Sequence, residues 1–197
     1  MIPSQVKELL LRSLEHERSA VLVYRTALEC AVNEQLKAEW DTDFDQTETH
    51  VSILTRVCIA LGIDPGEHTP GSEIVHHMGN SLVVAMQRAM ATGDAPAAEL
   101  VACECVVLAE TTDRANWELL CECSRVLDSA AGRTLAQACA KVQDEEDEHL
   151  SHSAGWRREL WLKSLGLKAV IPPPEENCHT GTAVDAAIVQ KNARAGR

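Results

Sequence analysis

The chain reads as an all-α protein, a bundle of four long helices with a long crossover that contains an extra helix. Three observations predict this. Aromatic residues are only 3% of the 197 positions, whereas strands draw on aromatic and β-branched side chains. Ala, Leu and Glu dominate the composition, which favours helix. Apolar residues also recur three or four apart over long stretches, the period of an amphipathic helix. The length fits one domain with a substantial core. We divide it into a bundle over 1–171 and a Pro-started polar tail over 172–197.

Pro3 and Ser4 open the first helix, with Ser4 as N-cap or first-turn residue. Its stripe is Val6, Leu10, Leu14, Val21, Tyr24 and Leu28, and Glu17 falls in the middle of it. The pattern breaks at Asn33. A second helix carries Trp40, Phe44, Thr47, Val51, Leu54 and Leu61 and stops at the breaker cluster Gly62 to Gly66. The short connection makes these two helices antiparallel neighbours. After a loop to Ser72, Glu73 to Met90 is a third helix of 18 residues, about 27 Å long. That matches the length of a bundle, so this helix can carry the chain back and leave the second and fourth helices parallel. Gly93-Asp94-Ala95-Pro96 separates it from a long helix over Ala97 to about Leu127, with Glu110 in its stripe. Asp128 to Arg133 is a turn, and Thr134 to Leu165 is the last long helix. Pro172 to Pro174 closes the fold. From Glu175 to Arg197 the chain lacks a period and reads as disordered or loosely packed, with Ala183 to Lys191 as one short helical candidate.

The net charge of −12 argues against nucleic acid, whose binding rests on Lys and Arg neutralising phosphates, and against an anionic membrane surface. No apolar run approaches the roughly 20 residues of a membrane span, and charges interrupt the first twenty positions, so a cytoplasmic location is expected. The eight cysteines should then be thiols. Cys103/Cys105 and Cys121/Cys123 point to nearly opposite faces of a helix, so neither pair is a metal clamp by itself. The expectation for them is small buried apolar residues, with zinc or redox chemistry as the alternative. The crossover helix can cover the bundle or pair with a second copy as a homodimer.

The chemistry concentrates in Gln143 to His152. Glu146 and His149 continue the stripe of Leu135, Cys139, Val142, Trp156 and Leu160, so each points where a Leu is expected. Burying them is costly unless something pairs with them. Glu-x-x-His on one helix face is how bundles offer ligands to a core metal. The two hairpins repeat the arrangement: Glu17 and Tyr24 align with Glu110 and Trp117, and Thr47 to His50 aligns with Glu146 to His149. His152, His76-His77 and Cys178-His179 read as surface or disordered positions, and Glu145, Asp147 and Glu148 as a solvated face.

In these residues the chain resembles the ferritin-like superfamily, which includes ferritins, rubrerythrins and di-iron carboxylate oxidases. The likeness covers roughly Val6 to Leu165. The family order is Glu, Glu-x-x-His, Glu, Glu-x-x-His on successive bundle helices. It maps onto Glu17, Thr47 and His50, Glu110, and Glu146 and His149. The resemblance implies an iron or manganese site, with zinc also compatible, made by Glu17, His50, Glu110, Glu146 and His149. It also implies oxygen or peroxide chemistry of a di-iron-type oxidoreductase, with substrate and redox partner unassigned. Thr47 departs from the pattern, since a metal-bridging Glu is expected there. Asp43, one turn away, and Glu48 are the candidate replacements. Losing one bridge implies unequal occupancy of two metal positions. The alternative is a metal-free bundle serving as a structural or protein-binding module. A storage-cage subunit ranks below both, because no separate fifth helix of the cage type follows the bundle.

Overall fold

The computed structural model describes residues 2–127 and 130–177. Among them are five α-helices and no strand. These are α1 (Ser4–Cys30), α2 (Glu34–Ala60), α3 (Pro70–Met90), α4 (Ala95–Val126) and α5 (Ala130–Ser164), followed by a short 3-10 helix, Pro174–Asn177.

The helix starts follow local chemistry. Asn33 caps α2, its side chain accepting from the Gln35 and Leu36 amides. Thr69 and Ser72 form a reciprocal capping box that starts α3 at Pro70, three residues before the predicted Glu73. Asp94 caps α4, which begins at Ala95. At the end of α2, Gly62 adopts φ +72°, which lets the Ile63 amide reach back to the Cys58 carbonyl at 2.9 Å. The turn predicted over 128–133 is shorter than expected, because α5 already begins at Ala130. Gly132 is the physical reason. A Cβ there would collide with the Leu127 carbonyl oxygen, so only glycine lets α5 start hard against the end of α4.

Side-chain pairs fix the directions. Tyr24 meets Asp43 and Glu17 meets His50, so α1 and α2 are antiparallel. Arg12 reaches Asn116 and His16 reaches the Ala109 carbonyl, so α4 also opposes α1 and runs parallel to α2. Glu104 with Arg157 and Arg114 with Asp147 make α5 antiparallel to α4. Glu8 with Gly71 and Glu15 with His76 run α3 parallel to α1. The predicted crossover is therefore present. Helices α1, α2, α4 and α5 form the bundle, and α3 lies outside it across α1 and α4. Gly79 packs so closely on Ser19 that any Cβ would overlap that side chain.

The core has two apolar clusters. One gathers Leu10, Leu14, Leu54, Val57, Leu120, Leu135 and Val142. The other gathers Val23, Leu36, Trp40, Met86, Val106, Trp156 and Leu160. A layer of buried polar side chains lies between them in sequence on every bundle helix. After α5 the chain differs from the loose tail expected from Glu175 onward. Glu175 is buried and accepts from both terminal nitrogens of Arg158 at 2.8 and 2.9 Å. The candidate helix Ala183 to Lys191 and the Cys178-His179 pair lie outside the described residues. No described helix is long and apolar enough to cross a membrane, and the seven described cysteines are all free thiols.

Candidate metal centre

Each bundle helix sends an ionisable side chain into the polar layer. Glu17 and His50 are 0% exposed, Glu110 1%, and Glu146 and His149 2% each. Their positions on otherwise apolar stripes aim them inward. The amphipathic pattern that buries Leu14 or Leu54 thus buries these groups too.

The two imidazoles are the hubs. His50 Nδ1 lies 2.9 Å from Glu146 Oε1 and 3.6 Å from Glu17 Oε1. His149 Nδ1 lies 3.5 Å from Glu110 Oε2 and 3.8 Å from Glu146 Oε1. The rings stack with centroids 5.8 Å apart. Both outer nitrogens are held: His50 Nε2 by Glu145 at 2.7 Å, and His149 Nε2 by Gln46 at 2.7 Å. A proton kept on each Nε2 by these acceptors leaves Nδ1 turned toward the carboxylates, the arrangement in which an imidazole can ligate a metal. Two ligand groups result, Glu17–His50–Glu146 and Glu110–Glu146–His149, each with donor atoms within 4.8 Å of one another. Glu146 belongs to both. The buried Glu and His groups can therefore hold a metal ion.

Unmet polar capacity converges here. Glu17 Oε2, both oxygens of Glu110, Glu146 Oε2, and Nδ1 of both histidines are buried without an aligned hydrogen bond. The His50–Glu146 contact is short but poorly directed. Buried polar atoms are ordinarily satisfied, so this concentration of unmet donors and acceptors is compatible with a cation held among these side chains. Trp117 Nε1 donates to Glu17 Oε1 at 2.6 Å and fixes that carboxylate. Tyr24 Oη donates to Asp43 Oδ2 at 3.3 Å.

Two further buried carboxylates join the layer. Asp43 Oδ1 lies 3.6 Å from His149 Nε2, on the outer side of that ring. Asp113, one turn past Glu110, sits against Glu17. Burial, then the charges of Glu17, Glu146 and Glu110, push the Asp113 carboxyl well above its usual range. Asp113 is therefore biased toward its neutral form. Thr47 turns its hydroxyl back to the Asp43 carbonyl at 2.8 Å, and Glu48 is exposed. Neither occupies the expected bridging position.

Burial disfavours charge on the histidines, but the surrounding carboxylates outweigh it. His50 is raised to about 11 by Glu146 and Glu17. His149 is raised to about 10 by Glu110, Asp43 and Glu146. Burial raises Glu146 to about 7, His50 opposing it, and burial raises Asp43 to about 7, His149 opposing it. In each case the folded chain holds protons that the unfolded chain releases at lower pH. The stability from the histidine pairs is complete below about 6.5, the unfolded value, and is lost as pH rises through about 10 and 11. The two acids contribute the same sign between their unfolded values and about 7. The metal-free protein should therefore be less stable at pH 8 than at pH 5. Urea unfolding midpoints at the two pH values check this; a higher midpoint at pH 8 contradicts the assignment.

All five predicted residues thus meet in one layer. The outer shell was read less well. Glu145 was expected on a solvated face, yet it bonds His50 from the edge of α5 nearest α2. Asp147 pairs with Arg114. His152, expected at the surface, is only 15% exposed and holds Glu39 at 2.6 Å. With Glu176 these two form a third group of potential ligands, half-buried beside the 3-10 helix. His76 is exposed as expected and bonds Glu15 at 2.8 Å. Asp113 and Gln46 were missed. Their signal was their spacing, one turn from Glu110 and one turn from His50, on the inward side of each helix. No protein-family model, no curated protein and no solved structure matches the chain.

Proposed function

We propose that the protein binds iron or manganese at Glu17, His50, Glu110, Glu146 and His149, as a ferritin-like oxidoreductase acting with oxygen or peroxide. The observation that carries this reading is the sharing of Glu146 between two Glu/His groups. A carboxylate presented to two adjacent positions is the device that lets two dications lie about 3.5–4 Å apart despite their repulsion. Oxygen and imidazole donors without thiolate suit iron or manganese, and also admit zinc.

A bound iron or manganese ion supplies one-electron chemistry with oxygen or peroxide. The chain's own residues prepare the position. Glu110 and His149 would hold an ion at one position, Glu17 and His50 at the other, and Glu146 would serve both. Gln46 and Glu145 orient the rings, and Trp117 orients Glu17. The flanking apolar clusters keep bulk water out, which strengthens every charge interaction in the layer. Asp113, biased toward its neutral form by burial and by the surrounding carboxylates, lies next to Glu17. A cavity of about 140 Å³ is lined by Trp117, Cys121, Gln143 and Glu146 together with the exposed Glu118 and Glu122. It is the side from which a small oxidant would approach Glu146.

Metal must displace the imidazolium protons, so affinity should rise by about tenfold per pH unit for each proton released. The two positions should fill unequally. Glu110, Glu146 and His149 form a complete set on one hairpin, whereas the other set lacks the carboxylate that Thr47 replaces. Titration of chelator-treated protein with Fe²⁺ or Mn²⁺ should give one tight ion and a second that is weak or absent, and Thr47→Glu should raise the tight stoichiometry toward two. Two equally tight ions in the unaltered protein, or no gain in the variant, would count against the proposal.

The compensation of two imidazolium ions by their carboxylates also favours a second reading, a metal-free bundle with a structural or protein-binding role. Elemental analysis of protein produced in iron- and manganese-replete medium separates the two.

A further inference from the structure

The segment after α5 folds back onto that helix. Glu175 is tied to Arg158 by two parallel bonds. Gly155 makes the approach close, since a Cβ there would come within 3.0 Å of both Glu175 Oε2 and Pro173 Cβ. The next residue, Glu176, groups instead with Glu39 on α2 and His152 on α5, and donor atoms of all three lie within 4.8 Å of one another. His152 Nδ1 is 2.6 Å from Glu39 Oε1, and the two side chains are only 15% and 25% exposed. Glu176 Oε1 is fully enclosed and, among the described residues, has no aligned hydrogen-bond partner.

We propose that Glu39, His152 and Glu176 form a second metal site, which takes one divalent transition-metal cation and staples the segment after α5 to α2 and α5. One imidazole nitrogen and an oxygen from each carboxylate suit zinc, manganese or iron(II), and three protein ligands leave a position for water. The site is separate from the layer around Glu146. His152 is one turn beyond His149 on α5, and Glu39 is one turn before Asp43 on the antiparallel α2. That places it about 5 Å further along the bundle, and it shares no ligand with the two sets in the layer.

A plain ion pair would need only Glu39 and His152. Glu176 brings a second carboxylate against the first in a half-buried place. Burial, then the Glu39 charge, raises the Glu176 carboxyl to about 7, His152 opposing. Like charges held together this way are unfavourable without a counter-charge. A dication supplies that charge, and it also gives the enclosed Glu176 Oε1 a partner. The 2.6 Å contact between His152 and Glu39 already requires a proton between nitrogen and oxygen. The cation takes its place, so uptake at neutral pH releases a proton. Residues from three elements then share one ion, and the returning segment is held at Glu176 as well as by Arg158.

The test uses the full chain and Zn²⁺ as the probe. Chelator-treated Glu146→Gln protein should still bind one Zn²⁺ tightly. Adding Glu176→Gln to that background should weaken the ion by at least ~10-fold, and adding His152→Gln should do the same. Limited proteolysis reads the staple directly. Zn²⁺ should slow tryptic cleavage after Lys168 in the unaltered protein and leave it unchanged in Glu176→Gln, which also controls for any action of zinc on the protease. The cleavage readout does not involve the layer around Glu146, so failure of the metal reading there leaves it intact. A Glu146→Gln protein that binds no Zn²⁺ overturns the proposal. So does an ion held at full affinity after Glu176→Gln is added, or cleavage after Lys168 that Zn²⁺ does not slow in the unaltered protein.

Discussion

Glu146→Gln should abolish stable metal loading at both positions at once, with affinity falling by at least ~100-fold. Even groups one step removed from a metal ligand are worth about 10–100-fold, and here the lost oxygen belongs to both donor sets. Glu17→Gln, which touches one set only, should spare the Glu110–Glu146–His149 position. The metal-free fold should barely respond to Glu146→Gln. Burial already raises the Glu146 carboxyl to about 7, and Glu17 and Glu145 still face His50 after the change. A shift of about 1 kcal/mol, or about 2–4 °C in Tm, is the expected size. Thermal scans with and without Mn²⁺ separate the effects. The unaltered protein should gain about 2.7 kcal/mol at a hundredfold excess over Kd, and the variant should gain none. Metal retained by Glu146→Gln would remove the shared carboxylate from the site.

The second large effect is structural. Arg158→Leu should destabilise the protein by about 3–5 kcal/mol, the order expected when one member of a buried ion-pair cluster is removed. Arg158 bonds Glu159 Oε1 at 2.7 Å and both Glu175 oxygens, and each carboxylate is only 1% exposed. For a chain of this size that corresponds to ~6–20 °C in Tm. Arg158→Lys should recover part of the loss, because an ammonium restores charge but not the two parallel bonds to Glu175. Protease cleavage after Lys168 should accelerate in Arg158→Leu, since the segment from Pro172 to Asn177 is anchored to α5 through Glu175. An unchanged melting curve would show that these carboxylates find water instead.

How legible the centre was depends on where its residues sit around each helix. Glu17, Glu110, Glu146 and His149 interrupt apolar stripes, so periodicity alone exposes them. His50 became visible through its alignment with His149. Glu145 was misread because it lies about 100° from Glu146 around the helix axis, at the seam with α2 rather than on the stripe. From sequence, a seam position is indistinguishable from a solvated one, and only the docking of α2 onto α5 decides. Glu99 shows the same limit at longer range. It leaves α4 to cap the Val32 and Asn33 amides at 2.7 and 2.6 Å, a partnership that no local pattern announces. The helices themselves were legible because caps and glycines are local signals. The start of α5 was not, because it depends on how closely Gly132 meets the end of α4.

The two ligand sets also differ in how much of the chain must fold before they exist. Glu110, Glu146 and His149 all belong to the α4/α5 hairpin, while Glu17, His50 and Glu146 span both hairpins. A hairpin forms through contacts near in sequence, whereas joining two hairpins waits on closing the long crossover. A cation can therefore be captured by one half of the molecule while the other half is still searching. Glu146 would then present a half-coordinated ion to the arriving His50 and Glu17. Assembly of the bundle and completion of its second donor set become one event, so a protein that takes up metal as proposed would do so in the order in which it folds.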